Sequence, residues 1–94
     1  MFVAHVTFLS PQQGGRRIPP QSGYHPQIDA GGVLTSCVIE SLAEETIFAF
    51  NAVHRVSLRL LFPDEVHDAF AVGSHVRFYE GSHLVGSGTI LELR

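Results

Sequence analysis

The stretch Val53-His54-Arg55-Val56-Ser57-Leu58-Arg59-Leu60-Leu61-Phe62 alternates apolar and polar side chains over most of its length. The apolar set consists of Val56, Leu58, Leu60 and Phe62. The polar set between them consists of Arg55, Ser57 and Arg59. Because successive side chains of a strand point to opposite faces, this pattern predicts a half-buried β-strand with one apolar and one basic face. Pro63 and Asp64 are predicted to end this strand.

Other segments share this alternation or are rich in β-branched and aromatic residues. They predict further strands at residues 2–9, 24–28, 33–40, 74–79 and 85–93. Residues 10–21 hold two glycines and three prolines, which predicts a long loop without a helix. Residues 29–32 are predicted to form a turn. Residues 41–50 stay open: one helical turn followed by a strand at 46–50 is one interpretation.

Many short strands with turn residues between them are typical of an all-β sandwich or barrel. Closure into a barrel would leave no exposed strand edges. Gly86 and Gly88 fall in the last strand, where they predict sharp bends. We expect residues 1–94 to form a single domain. The predicted core contains Val56, Leu58, Phe62, Val76, Phe78 and Ile90. In the strand at 33–40, Val38 or Ile39 is predicted to face the core with Cys37 on the opposite face, although its small apolar side chain also makes Cys37 a core residue in the simplest interpretation.

The composition limits the classes of function. Apolar residues make up 45% of the chain and charged residues only 16%, which indicates a folded core. The net charge of −3 argues against a general nucleic-acid coat, although it leaves room for a local arginine patch, since all six basic residues are arginines. No apolar run is long enough for a membrane helix. A single cysteine, Cys37, favours a cytoplasmic location.

The sequence lacks the motifs of common catalytic and metal sites. Its six histidines include no His-x-His or His-x-x-x-His pair, and Cys37 has no second cysteine, so we predict no metal site and no cofactor. No Gly-x-x-x-x-Gly-Lys-Ser/Thr motif is present, so the chain is not expected to bind a nucleotide of its own. No nucleophile is marked by a nearby base. We therefore predict a protein that is not an enzyme.

Two runs carry a resemblance to a known family. They are Gly14-Gly15-Arg16-Arg17-Ile18-Pro19-Pro20-Gln21-Ser22-Gly23-Tyr24-His25-Pro26-Gln27 and Glu80-Gly81-Ser82-His83-Leu84-Val85-Gly86-Ser87-Gly88. In this order and spacing they resemble the C-terminal (third) β-barrel domain of bacterial translation elongation factor Tu, here as a stand-alone domain. The resemblance covers nearly the whole chain. It implies an all-β, six-stranded closed antiparallel barrel.

The resemblance also implies roles for individual residues. That domain contacts the backbone of aminoacyl-tRNA, the nucleotide-exchange factor and the GTPase domain. Arg16 and Gln27 match positions implicated in the tRNA contact, Arg17 replaces a histidine there, and Thr35 or Ser36 falls near a strand threonine. Independently, two arginines after a Gly-Gly pair have the geometry to bind a phosphate, although an empty solvated loop is an equal alternative.

Departures from the family keep a second function open. His25, Tyr79 and His83 stand where the family has arginine, and residues 63–76 form a longer, acidic segment. One hypothesis is therefore a translation-related module with weak contact to tRNA or other structured RNA. The alternative is a protein-interaction module, whose partner is another protein or a second copy of itself, with Arg55, Arg59, Tyr79 and His83 as its surface. A fragment of a full GTPase is the third and weakest hypothesis.

Arg55 and Arg59 share one strand face at about 13 Å spacing, although such pairs are often only a solvated surface.

Overall fold

Six β-strands dominate the computed structural model, which describes residues 1–62 and 70–94. They are β1 (Phe2–Phe8), β2 (Gln27–Ala30), β3 (Val33–Ser41), β4 (His54–Leu60), β5 (His75–Glu80) and β6 (His83–Leu93). The predicted strand end at Pro63 and Asp64 lies outside the described residues, and so do the acidic side chains of segment 63–76.

The strands close into an antiparallel barrel in the order β1-β4-β3-β2-β5-β6, and β6 pairs back onto β1. The predicted all-β, six-stranded closed antiparallel barrel is therefore confirmed. The two chain ends meet at the β1–β6 seam, where Met1 and Arg94 exchange backbone hydrogen bonds of 2.9 Å in both directions. Within residues 1–62 and 70–94, no helix has the length and apolar character needed to cross a membrane.

Aromatic and branched aliphatic side chains fill the barrel. The largest fully buried side chains include Phe8, Phe48, Phe78, Ile28, Ile39, Leu58 and Ile90. Five of the predicted core residues are buried as expected: Val56, Leu58, Val76, Phe78 and Ile90. The prediction for Phe62 was wrong, because β4 ends at Leu60 and leaves the Phe62 side chain 55% exposed.

The middle of β3 contributes buried side chains on both of its faces. Cys37 and Ile39 belong to the hydrophobic core of the barrel, while Val38 is buried on the opposite face. Cys37 is thus a small core residue, but the prediction that it lies on the face opposite the core was wrong. It shares the core face with Ile39, because strand side chains two residues apart point the same way.

Two glycines let β6 lie close against β1. A Cβ at Gly86 would sit 2.7 Å from the carbonyl oxygen of Thr7, and one at Gly88 would sit 2.6 Å from that of His5. Neither position has room for a side chain. These glycines therefore permit a close approach between two backbones, while the sharp bends predicted at Gly86 and Gly88 stay a prediction.

Two connections differ from their predictions. The loop at residues 10–21 was predicted to lack any helix, but Pro11–Gln13 forms one 3-10 turn. Proline suits the first position of such a turn because its missing N–H needs no partner there. The predicted turn at residues 29–32 is shorter, since Asp29 and Ala30 pair with β3 and belong to β2.

Residues 41–53 form an extended segment that packs against one end of the barrel. It contains no helical turn, and its single bridge joins Ile47 to Gln21. The Phe48 ring is fully buried and stacks on Phe8 with ring centroids 5.4 Å apart. The backbone N–H of Phe48 donates to the Pro20 carbonyl at 2.8 Å. Tertiary contacts therefore place this segment without regular secondary structure.

Candidate functional site

Two adjacent glycines shape the loop that carries the predicted phosphate-binding arginines. Gly14 has a φ of 84°, a conformation that favours glycine. A Cβ at Gly15 would lie 2.0 Å from the carbonyl oxygen of Leu9, so no other residue fits in this backbone arrangement. The Gly15 N–H also donates to the Ser10 carbonyl at 2.9 Å. The loop is therefore fixed immediately before its two arginines.

The side chains of Arg16, Tyr24 and Glu80 form a polar cluster at this end of the barrel, which we call the rim network. Arg16 Nη1 forms an ion pair with Glu80 Oε2, and the Tyr24 hydroxyl donates to the same oxygen. The Arg16 guanidinium carbon lies 4.8 Å from the centre of the Tyr24 ring. Its Nε also donates to the carbonyl of Ile18 at 3.0 Å. Arg16 is thus held by three contacts, to Glu80, Tyr24 and Ile18.

The rim network shifts the pKa values of all its members. Burial disfavours the charged form of Glu80, but hydrogen bonds from Tyr24 and Arg16 outweigh it and lower the pKa of the carboxyl. Burial and the hydrogen bond to Glu80 raise the pKa of the Tyr24 phenol. Burial also opposes the charge of Arg16, yet Tyr24 and Glu80 raise the pKa of its guanidinium. Near neutral pH the network is therefore a carboxylate, a neutral phenol and a guanidinium.

Arg17 and His83 lie beside the rim network. Arg17 is exposed, and no carboxylate in the described part of the chain forms an ion pair with it. His83 Nε2 donates to the carbonyl of Gly14, which ties the β5–β6 hairpin to the loop. An open depression of about 340 Å³ is lined by Gly15, Arg16, Arg17, Ile18, Glu80 and His83. The loop thus presents the Arg16 guanidinium, which Glu80 pairs, next to that of Arg17, which no carboxylate of residues 1–62 and 70–94 pairs.

The other two residues predicted to bind phosphate, Gln27 and Thr35, lie on opposite faces of the sheet. Directly paired residues share a face. Gln27 pairs with Ser36 on β3 and Tyr79 on β5, on the outer surface. Thr35 pairs with Ile28, which is fully buried. The strand hydroxyl beside Gln27 is therefore that of Ser36.

The four residues predicted as an interaction surface are not brought together. Arg55 and Arg59 are exposed on β4, and Arg55 Nη2 lies 3.9 Å from Glu92 Oε2. Tyr79 is on β5, and His83 begins β6. In the strand order of the barrel, β4 and β5 are on opposite sides. Arg55 and Arg59 therefore lie on a different side of the barrel from Tyr79 and His83.

Tyr79 is part of an apolar outer surface. It lines a depression of about 470 Å³ together with Leu34, whose side chain is 53% exposed. Its partner across β5 and β6 is Leu84, which is 38% exposed. We call these three side chains the apolar patch.

The sequence analysis did not identify a buried histidine on β4. His54 is 3% exposed, its Nδ1 lies 2.7 Å from Glu45 Oε2 and its Nε2 lies 2.8 Å from the Ala49 carbonyl. We call His54, Glu45 and Ala49 together the histidine tether, because their hydrogen bonds hold the segment after β3 against β4. The sequence does contain a signal for this burial: His54 lies an even number of residues from the buried Val56 and Leu58, and so on the same face of the strand.

Thiol or metal chemistry finds little support in the geometry. Cys37 is fully buried, and burial raises the pKa of its thiol to about 12. A thiol with so high a pKa is a poor nucleophile near neutral pH. Among residues 1–62 and 70–94, no three His, Cys, Asp or Glu side chains are placed to hold a metal ion.

Comparison of the sequence with profiles of known protein families and with curated proteins found no match.

Proposed function

We propose that this protein is a non-catalytic binding module that contacts the backbone phosphates of structured RNA, in a translation-related role of the kind that its resemblance to elongation factor Tu implies. The observation that carries the proposal is the rigid loop at residues 14–18, which displays Arg17 outside any ion pair of the described residues. A guanidinium fork matches the geometry of a phosphate. The lone cysteine, buried and without a disulfide, favours a cytoplasmic setting.

The rim network sets the strength of this contact. Glu80 already occupies Arg16, so an incoming phosphate must compete with a carboxylate for that guanidinium. The net charge of −3 also opposes the approach of RNA. We therefore expect binding in the range typical of non-specific association, about 10⁻⁴ to 10⁻⁶ M, with few ion contacts.

The test is binding of a short A-form RNA duplex or a tRNA, measured over a range of salt concentrations. Arg17→Ala should weaken binding and flatten the slope of log K against log[salt] by about one unit. Arg59→Ala is the matched control, because Arg59 is also an exposed arginine but lies on β4 and not on the loop at 14–18. If the wild-type protein fails to bind RNA at low salt, or if both variants behave alike, the proposal is wrong.

A second candidate, a protein-interaction module, is favoured by the apolar patch of Leu34, Tyr79 and Leu84. Exposed apolar surface that is contiguous often marks a protein-binding site. The first measurement is the mass of the pure protein by sedimentation over a range of concentrations. Self-association that Leu34→Glu abolishes would support this candidate. A strict monomer that retains salt-dependent RNA binding would favour the first.

A further inference from the structure

The outer wall formed by β1, β6 and β5 carries a groove of about 490 Å³ that the proposed function does not use. It is lined by His5, Thr7, Val53, His75, Val76, Arg77, Ser87, Gly88 and Thr89. The groove begins at the His75 end of β5, whereas the rim network begins at Glu80, at the other end. The groove residue of β5 nearest to Glu80 is Arg77, three residues and about 10 Å away along the strand.

Strand register arranges the polar side chains of this groove in two rows. In the first row, Thr89 on β6 pairs with His5 on β1 and with His75 on β5. Paired side chains share one face with Cβ atoms about 5 Å apart. Since His5 and His75 are exposed, this face is the outer one.

The second row is built in the same way. Ser87 on β6 pairs with Thr7 on β1 and with Arg77 on β5. Gly88 lies between the rows, and it lets β6 approach β1 closely, since a Cβ there would meet the His5 carbonyl. The barrel thus brings two imidazoles, one guanidinium and three hydroxyls to one concave surface.

The lining suits an anion, because none of its side chains is a carboxylate. Thr89 Oγ1 lies 3.3 Å from His75 Nδ1, so a hydroxyl that donates there leaves Nε2 as the donor for a ligand. The nearest acid in register is Asp29, which pairs with Arg77 across β2 and β5. One of its oxygens, however, accepts the N–H of Gly32 at 2.9 Å.

We propose that this groove is a binding site for the phosphate group of a small phosphomonoester. Arg77 supplies a permanent charge and the two histidines supply donors from the neighbouring row. Thr7, Ser87 and Thr89 supply hydroxyls that hydrogen-bond phosphate oxygens. The site is independent of the RNA contact, because it shares no residue with the loop at 14–18.

The charged neighbours of the groove lie on the adjacent strands. His5 on β1 and His75 and Arg77 on β5 face the groove, while Arg55 on β4 and Asp29 on β2 are the charged neighbours in register.

The test is titration of the protein with inorganic phosphate and with glycerol 3-phosphate, followed by the backbone amide signals of Ser87, Gly88 and Thr89 in NMR spectra. We expect the shifts to saturate with either ligand. Arg77→Gln should weaken binding about tenfold, because one charge-assisted hydrogen bond is lost. His5→Gln tests the other strand and serves if Arg77→Gln does not fold.

Arg59→Gln, on the opposite wall, is the matched control and should leave the titration unchanged. Shifts that fail to saturate, or that survive both groove variants, would overturn the proposal. An RNA duplex that shifts the same three amides would also overturn it, since the groove would then belong to the RNA surface.

Discussion

The rim network and the histidine tether are two polar clusters that border the same aromatic ring. The Phe8 centroid lies 6.0 Å from that of Tyr24 and 6.3 Å from that of His54. Each cluster joins a loop to a strand through a carboxylate. They differ chiefly in the exposure of the cationic or imidazole partner: the His54 side chain is 2% and that of Arg16 28% exposed, whereas the carboxylates Glu45 and Glu80 are 31% and 43% exposed.

This difference separates a structural cluster from one that is available to a ligand. A buried imidazole that loses its partners leaves polar atoms without hydrogen bonds, which is costly in a dry interior. An exposed ion pair exchanges its partner for water at little cost. The histidine tether should therefore stabilise the fold, and the rim network should set the charge offered to a ligand.

The largest effect is expected from His54→Ala. This change removes an imidazole packed 5.1 Å from the Phe48 ring and leaves the Glu45 and Ala49 oxygens without their partner. The free energy of unfolding should fall by about 2–4 kcal/mol. Urea denaturation measures it. His5→Ala, at an exposed histidine, is the control and should change stability by no more than about 0.5 kcal/mol. Equal losses in both variants would refute the distinction.

A smaller loss is expected from Gly15→Ala, which tests whether the rim loop is as rigid as its contacts indicate. The added Cβ meets the backbone of Leu9 and forces the loop to move, at a cost of about 1–3 kcal/mol. The matched control is Gly14→Ala, where the Cβ has open space and only the positive φ costs about 1 kcal/mol. Amide shifts of Arg16 and Arg17 that change only in the Gly15 variant would confirm the fixed loop. Unchanged stability would contradict it.

The smallest effect belongs to Glu80→Gln. Because the pKa of Glu80 is lowered in the folded protein, its charge stabilises the fold above the unfolded carboxyl pKa of about 4.3, and this contribution disappears as the pH falls through the lower folded value. At about pH 7 the exposed pair should contribute less than about 1 kcal/mol. The difference between wild type and variant should shrink as the pH falls below about 4.3 and vanish once the folded-state carboxyl is protonated.

Thermal unfolding across this pH range measures the effect of Glu80→Gln. Glu40→Gln is its control, since Glu40 is exposed and has no ion pair within the described residues. A stability difference that persists unchanged at acid pH would show that the carboxylate charge is not its source.

Alternation along the chain was sufficient to predict the barrel strands and most of the core. Val56 and Leu58 are buried because the period of two follows directly from strand geometry. The same rule failed at Phe62, since periodicity does not show where a strand ends. The same period of two also indicated that His54 is buried, because His54 lies two residues before Val56. This burial is missed when histidine is assumed to lie on the surface.

Long-range contacts account for what the sequence could not predict. Arg16 and Glu80 are 64 residues apart, and Tyr24 and Glu80 are 56 residues apart. No local pattern reports such a pairing, because it depends on how the hairpin and the loop meet after closure. Residues 41–50 were ambiguous for the same reason: their conformation follows from contacts of Phe48 and His54 rather than from local propensities.

The hydrogen bonds between Met1 and Arg94 make the backbone of the barrel almost a closed ring. A short peptide linker across these ends would turn the β1–β6 seam into an ordinary hairpin. New ends opened at Gly31 and Gly32, between β2 and β3, would then leave every strand pair intact. Such a circular permutant should fold to the same barrel, because the fold requires that each strand meet its two neighbours and not that β1 come first.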